Sequence, residues 1–202
     1  MKMKIKASLA ILAMLLPTTA QAAEFSKNFG YLTITGEIVE GDFNRFKQIA
    51  PKSPADWIQI KLDSPGGVTG EGVAIGRYIF EHQLDTTVFR YCASACALIW
   101  LAGNPRNVTI GARIGFHAAS NSSGTVSWTN AFIGAYLRDI GMSLGVIQYA
   151  TSAPPEGMNW LTPAKASELG IKMMVLEKGM DPPLVRPRPP APDMAATRCR
   201  CS

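Results

Sequence analysis

Ser64-Pro65-Gly66-Gly67-Val68-Thr69-Gly70 ends one strand-like run and opens a helix-like one, and the reading of this stretch decides the fold. Ahead of it, Trp57-Ile58-Gln59-Ile60-Lys61-Leu62 reads as a strand, stopped at Asp63 and the Ser-Pro-Gly-Gly turn residues. Behind it, Ile75, Tyr78 and Ile79 recur at helical spacing in an amphipathic segment that ends near Gln83. Backbone N–H groups at such a turn lack a helical partner and can face a ligand oxygen. The stretch lacks the Lys-Ser/Thr ending of a phosphate loop and does not match the dinucleotide fingerprint. Two readings stand: an oxyanion-binding turn, or a glycine-rich turn with a steric role alone.

Working outward, strand and helix signals alternate. Tyr31 to Val39 largely alternates apolar and polar residues, as a strand with one covered face does. Thr86 to Arg90 is a short β-branched strand, and Ala93 to Ala102 is a nearly all-apolar, buried helix. Asn107 to Ile110 and Arg113 to His117 are short strands about a turn at Gly111. A long helix follows, with Trp128, Phe132, Tyr136, Ile140 and Leu144 on one stripe. Thr162-Pro163 opens a last helix as cap and first helical residue, Gly170 closes it, and Ile171 to Leu176 is a final strand. Repeated strand-helix units predict an α/β domain.

The termini differ from this core. Of the 202 residues, 47% are apolar and 17% charged, which describes one globular domain and argues against a nucleic-acid-binding tail. The formal charge of +5 is mostly local: Lys2, Lys4 and Lys6 stand in the first 22 residues, and without them 17 basic side chains face 15 acidic ones. Those lysines, the apolar run Ala7 to Leu16 and the small-x-small Ala20-Gln21-Ala22 read as a cleavable signal peptide over 1–22. Ten apolar residues fall short of the about 20 that span a bilayer, which favours the cleaved leader over the alternative of an uncleaved anchor. Export to the periplasm or beyond follows, with no integral membrane segment left after cleavage. The domain is then 23–178. From 179 to 202 the chain holds six of its fourteen prolines and the pair Cys199 and Cys201, and reads as a disordered, proline-rich tail.

Two further stretches carry chemistry. In Cys92-Ala93-Ser94-Ala95-Cys96, a serine between alanines at a strand-to-helix turn keeps its hydroxyl uncrowded, beside the positive end of a helix. It reads as a nucleophile or as a helix cap. Gly115-Phe116-His117-Ala118 ends a strand on an imidazole. His82, at the end of an amphipathic helix, reads as a surface or capping residue. That leaves His117 as the imidazole base available to Ser94. Cys92 and Cys96, four apart, read as a disulfide or as two buried thiols. Their spacing is not that of a redox pair, and no zinc-ligand spacing with histidine occurs.

Together, Ser64-Pro65-Gly66-Gly67-Val68, Ala93-Ser94-Ala95 and the strand ending in His117 resemble the Clp protease proteolytic subunit. They resemble the periplasmic signal peptide peptidase A group more loosely; both have the Clp/crotonase fold. The serine follows Gly67 by 27 residues and the histidine follows Ser94 by 23, in the family's order. Trp160 to Ile171 is similar to the family's closing helix and strand. The resemblance spans about Ile34 to Leu176. It implies Ser94 as nucleophile, His117 as general base, and the N–H groups of Gly67 and Ala95 as oxyanion hole. It also implies a peptide or protein substrate bound as an added strand beside the turn after Pro65, no cofactor or metal, and a homo-oligomer. The family's aspartate falls on Met158, whose thioether cannot orient an imidazole. Glu156 and Asn159 flank it as candidates for the third role, with Asp63 and Asp139 more distant. The expected activity is that of an exported serine-type endopeptidase. The rivals are a catalytically silent relative that binds extended peptide or scaffolds an assembly, and a thioester enzyme using the oxyanion hole alone.

Overall fold

Alternating apolar and polar side chains build the sheet in the computed structural model, which describes residues 22–177 and 179 apart from 29, 54, 55, 57, 122, 123 and 155. The leader, all but its last residue, and the tail beyond Gly179 lie outside the described residues, as do Cys199 and Cys201. Strand β1 (Glu24–Asn28) pairs antiparallel with β2 (Tyr31–Ile38). In β2 the side chains of Leu32, Ile34 and Ile38 are fully buried, while Thr33 and Thr35 are half-buried. Helix α1 (Asp42–Ile49) leads to β3 (Gln59–Gly67), which pairs parallel with β2. Helix α2 (Thr69–Glu81) buries Ile75, Tyr78 and Ile79, the residues whose spacing predicts it. Strand β4 (Thr86–Ala93) and the fully buried helix α3 (Ala95–Leu101) follow.

The sheet then forks. The first half of β4 pairs parallel with β5 (Arg106–Thr109), through Val88 and Val108. Its second half pairs parallel with β6 (Arg113–Phe116), through Cys92 and Ile114 and through Ala93 and Gly115. A small hairpin, β7 (Ser120–Asn121) and β8 (Gly124–Thr125), precedes helices α4 (Ser127–Asp139) and α5 (Leu144–Ser152). Strand β9 (Asn159–Trp160) pairs antiparallel with β6, and after α6 (Pro163–Glu168) the last strand, β10 (Met174–Leu176), joins β5. This is an α/β fold of strand-helix units around one core. Helices α2 and α3 pack on each other, and α3 packs on β3 and β4. Tyr136 of α4 is fully buried and donates its hydroxyl to the Leu98 carbonyl at 2.9 Å; burial pushes its phenol up, so it stays a donor.

Two expectations are corrected. The turn residues 63–67 do not stop the second strand: β3 runs through them with a shift in register, and Glu37 and Ile38 pair with Gly66 and Gly67. The long helix of the stripe is two helices, broken where Gly141 takes φ +81°. Its stripe is not one buried face: within α4 a step of four residues turns by about 40° beyond a full circle, and Leu144 belongs to the next helix. Tyr136 and Ile140 are buried, but Trp128 is 73% exposed and Leu144 72%.

The α6 start matches its reading: Pro163 is at the first turn and Thr162 Oγ1 accepts from Lys165 N–H at 3.1 Å. Thr162→Ala is expected to lower stability by about 1 kcal/mol, read from the midpoint of urea unfolding at unchanged slope.

Candidate active site

Three strand ends meet here. Strands β3, β4 and β6 are parallel, with Ser64 level with Cys92 and Ala93 level with Gly115. At the carboxyl end of the sheet stand Gly66 and Gly67, the last residues of β3, with Ser94 and His117, which follow β4 and β6. In open α/β sheets that edge is where ligands bind.

Ser94 leaves β4 at φ 54° and ψ −125°, a region a residue with a Cβ rarely occupies, at a cost of about 1–3 kcal/mol. It stands at the N-cap of α3, yet its side chain makes no capping hydrogen bond. The capping role that the sequence leaves open is therefore not the one it takes. Its N–H donates to the Gly115 carbonyl at 2.9 Å, which ties the turn to β6. Its carbonyl accepts from Ala97 N–H at 2.9 Å. The Ala95 N–H, at the first helical position, has no intrahelical acceptor.

The glycine turn is shaped for close approach. A Cβ on Gly66 would lie 2.7 Å from Ser94 Cβ and 2.9 Å from Ala95 N, at a φ of +97°. Gly67, at φ +137°, passes so close to the Ile38 carbonyl that a Cβ there would collide with it. The buried Ser64 hydroxyl holds the turn, donating to the Gly36 carbonyl at 2.6 Å and accepting from Gly66 N–H at 3.1 Å. The turn that carries Gly67 is thus packed directly against the one that carries Ala95. Gly66 and Ser64 have structural roles that the sequence reading does not assign, although the doubled glycine after proline is the signal that could have found Gly66.

Ser94 and His117, both half-buried, line one narrow pocket with Thr69, Leu98, Phe116 and Ile133. The His117 Nδ1 lies 2.8 Å from the Ala118 carbonyl oxygen. A carbonyl can only accept, so Nδ1 carries the proton and the neutral ring keeps its lone pair on Nε2. Among the hydrogen bonds of the described residues, none joins Ser94 Oγ to this ring.

Strands β6 and β9 pair Gly115 with Trp160 and Phe116 with Asn159. Continued by one residue, that register brings Met158 level with His117. The Met158 side chain lies over Gly115, where a Cβ would come 2.7 Å from both its Cγ and its Sδ. Asn159 is turned elsewhere, its amide donating to the Tyr149 carbonyl at 2.8 Å and to Ser152 Oγ at 3.0 Å. Glu156 is exposed on a turn closed by Gly157 N–H and the Pro154 carbonyl at 2.9 Å. Asp63 is paired with Arg90, and Asp139 with Arg77 at 2.7 Å. His82 caps α2, its ring stacked on Tyr78 and its Nδ1 2.8 Å from the Tyr78 carbonyl.

Cys92 and Cys96 form a disulfide with Cα atoms 5.2 Å apart, so a covalent bond closes the loop that carries Ser94. Among the described residues, no group of acidic, histidine and cysteine side chains could hold a metal ion, and no helix is long and apolar enough to cross a membrane.

No protein-family model and no curated protein sequence matches the chain. Solved structures do. The catalytic domain of a ClpP protease from Plasmodium falciparum superposes with a TM-score of 0.53 at 20% identity, over 77% of this chain and 88% of that one. A variant of ClpP1 from Listeria monocytogenes gives 0.52 at 19%, over 73% and 92%. A variant of the 1510-N membrane-bound stomatin-specific protease also gives 0.52 at 19%, over 71% and 76%. At these identities the likeness establishes the fold: the chain has the Clp protease-like α/β fold.

The geometry predicts opposite outcomes for two neighbouring glycines. Gly66→Ala is expected to destabilise the protein by about 2–4 kcal/mol, through strain at positive φ and overpacking against Ser94. Gly70→Ala, where nothing lies within 4 Å of the added methyl, is expected to be neutral or stabilising by up to about 1 kcal/mol, from helix propensity. Urea unfolding of both variants checks this; equal effects would contradict the close approach.

Proposed function

We propose that the protein is an exported serine peptidase in which Ser94 is the nucleophile and His117 the general base. The observation that carries this reading is the serine itself, held at positive φ at a strand-to-helix turn with no capping bond to explain its place. Backbone strain of that kind persists where the surroundings impose it, and it clusters at reactive sites.

In the proposed reaction Ser94 Oγ attacks the carbonyl carbon of a peptide laid as an extended strand beside the turn after Pro65. Its proton passes to His117 Nε2. The N–H groups of Gly67 and Ala95 hold the oxyanion. The imidazolium then gives the proton to the leaving amine, the C–N bond breaks and an ester remains on Ser94. Water, deprotonated by His117, attacks that ester, and the proton returns to Ser94 Oγ as the acid departs.

Export is supported by the leader pattern and by the Cys92–Cys96 disulfide, which persists in oxidising compartments. Assembly with further copies is supported by the exposed apolar face of α4, where Trp128 and Phe132 stand beside Ala131 and Ala135. The competing reading is a silent peptide-binding relative, and Met158 at the aspartate position favours it.

A fluorophosphonate probe separates the two. Labelling that vanishes in Ser94→Ala supports the peptidase; no labelling of folded, disulfide-intact protein sinks it. Losing the orienting carboxylate costs a serine enzyme about 10⁴-fold in turnover. Met158→Asp is expected to speed labelling about tenfold, since a carboxylate level with His117 would add charge stabilisation of the imidazolium to an orientation that the Ala118 carbonyl already supplies.

A further inference from the structure

Asn130 of α4 lies outside every motif, yet it touches the group that holds His117. The Ala118 carbonyl, acceptor for His117 Nδ1–H, and the Ala119 N–H belong to one peptide unit. That N–H donates to Asn130 Oδ1 at 2.8 Å. The peptide plane is therefore gripped at both ends, by the histidine on its oxygen and by the asparagine on its nitrogen. The Asn130 amide can take one orientation only. Flipped, it would set an NH₂ against the Ala119 N–H, and as placed its Nδ2 donates to the Val126 carbonyl at 3.3 Å.

The rest of the segment is backbone. Ala118 N–H donates to the Ala153 carbonyl at 2.8 Å, and Val126 N–H donates to the Ala119 carbonyl at 2.9 Å. Of the groups fixing this coil, Asn130 is the one that a substitution can remove without breaking the main chain. It also acts on the acceptor electronically. Hydrogen bonds in series polarise one another, so an acceptor on the amide N–H makes the carbonyl oxygen of the same peptide a stronger acceptor.

We propose that Asn130 is a positioning residue for His117. Through the Ala118–Ala119 peptide it sets the Nδ1–H tautomer, the task that a carboxylate performs in a serine–histidine–aspartate site. The inference rests on the Ser94–His117 reading for its meaning, but its test does not depend on catalysis.

The chain has two histidines, so His82→Gln leaves His117 alone. In that background, with imidazole nitrogens labelled with ¹⁵N, proton–nitrogen correlation spectra of the neutral ring report which nitrogen is protonated. The expected result is Nδ1–H, against the Nε2–H form that a free neutral side chain favours. Asn130→Ala is expected to shift the ring several-fold toward Nε2–H, and Asn130→Asp, which keeps the acceptor oxygen, to retain Nδ1–H. Asn130→Ser, whose hydroxyl is too short to reach Ala119 but can bond within its own helix, serves where the alanine variant does not fold, with the same expectation.

Nε2–H in the parent protein would overturn the proposal, and so would an unchanged tautomer in folded Asn130→Ala or Asn130→Ser. The same variants are expected to react with the fluorophosphonate probe about 10- to 100-fold more slowly, a range set by general-base contributions of about 10²–10⁴, with Asn130→Asp recovering most of the rate. A parent protein that is Nδ1–H but never labels would defeat the peptidase reading and leave the positioning role standing.

Discussion

Parallel pairing of β4 with β6 is the constraint on which the site depends. Two parallel strands in register end at the same level, so the residues that follow them emerge side by side. Ala93 pairs with Gly115, Ser94 N–H donates to the Gly115 carbonyl at 2.9 Å, and His117 comes two residues later. An antiparallel β6 would have sent the histidine to the opposite edge of the sheet. The fork that allows this pairing costs β5 nothing, since β5 takes the first half of β4 and β6 the second. The third strand is fixed by the same logic, with Ser64 level with Cys92 and Gly66 fitted beneath the turn. Main-chain pairing, rather than side-chain bonds, brings the three motifs together.

That arrangement must also hold a strained residue. The backbone at Ser94 costs about 1–3 kcal/mol, so something must prevent it from relaxing. The disulfide from Cys92, near the end of β4, to Cys96, in the first turn of α3, closes a loop of about five residues. In the chain-entropy account such a loop is worth about 2 kcal/mol. That term acts on the unfolded chain; in the folded protein the bond ties the two ends of the turn together. Gly66 adds a steric stop on the other side, because the space that a Cβ would fill is the space that the turn occupies. The serine is held from both flanks and from beneath, with its hydroxyl left out of the cap it could have made.

The sequence discloses this unevenly, and for physical reasons. The buried side chains of β2 and α2 and the Thr162-Pro163 start carry periodicity or capping chemistry, and the structure places them as read. The course of β3 through Gly67 is hidden, because residues that form turns elsewhere here pair at a register shift with β2. The four-residue stripe from Trp128 to Leu144 misleads because it drifts around α4 from exposed Trp128 to buried Tyr136, and because Leu144 opens a separate helix beyond Gly141. Ser94 and His117 are legible as residue types at spaced strand ends. The Ala118 carbonyl is not: every residue has one, and only the bonds around it make it an orienting group. Asn130 is silent for the same reason, since its partner is backbone.

In the proposed dyad, a methionine at the aspartate position would separate two tasks that one side chain performs in a serine–histidine–aspartate site. A carboxylate against Nδ1 fixes the tautomer by hydrogen bonding and stabilises the imidazolium by charge. A peptide carbonyl supplies the first and, as a dipole, much less of the second. Met158 and Trp160 cover Gly115 with apolar surface in place of that charge. A carboxylate set there would need hydrogen-bond partners of its own, because an ionised group taken from water is costly unless it is paired. The thioether avoids that desolvation but supplies no charge for an imidazolium. In the dyad proposed here, proton transfer to His117 would therefore lose most, while the Ala118 carbonyl would still orient the ring. Within that proposal, a weak enzyme and a silent relative would share the histidine's orientation and differ in how readily Ser94 is acylated.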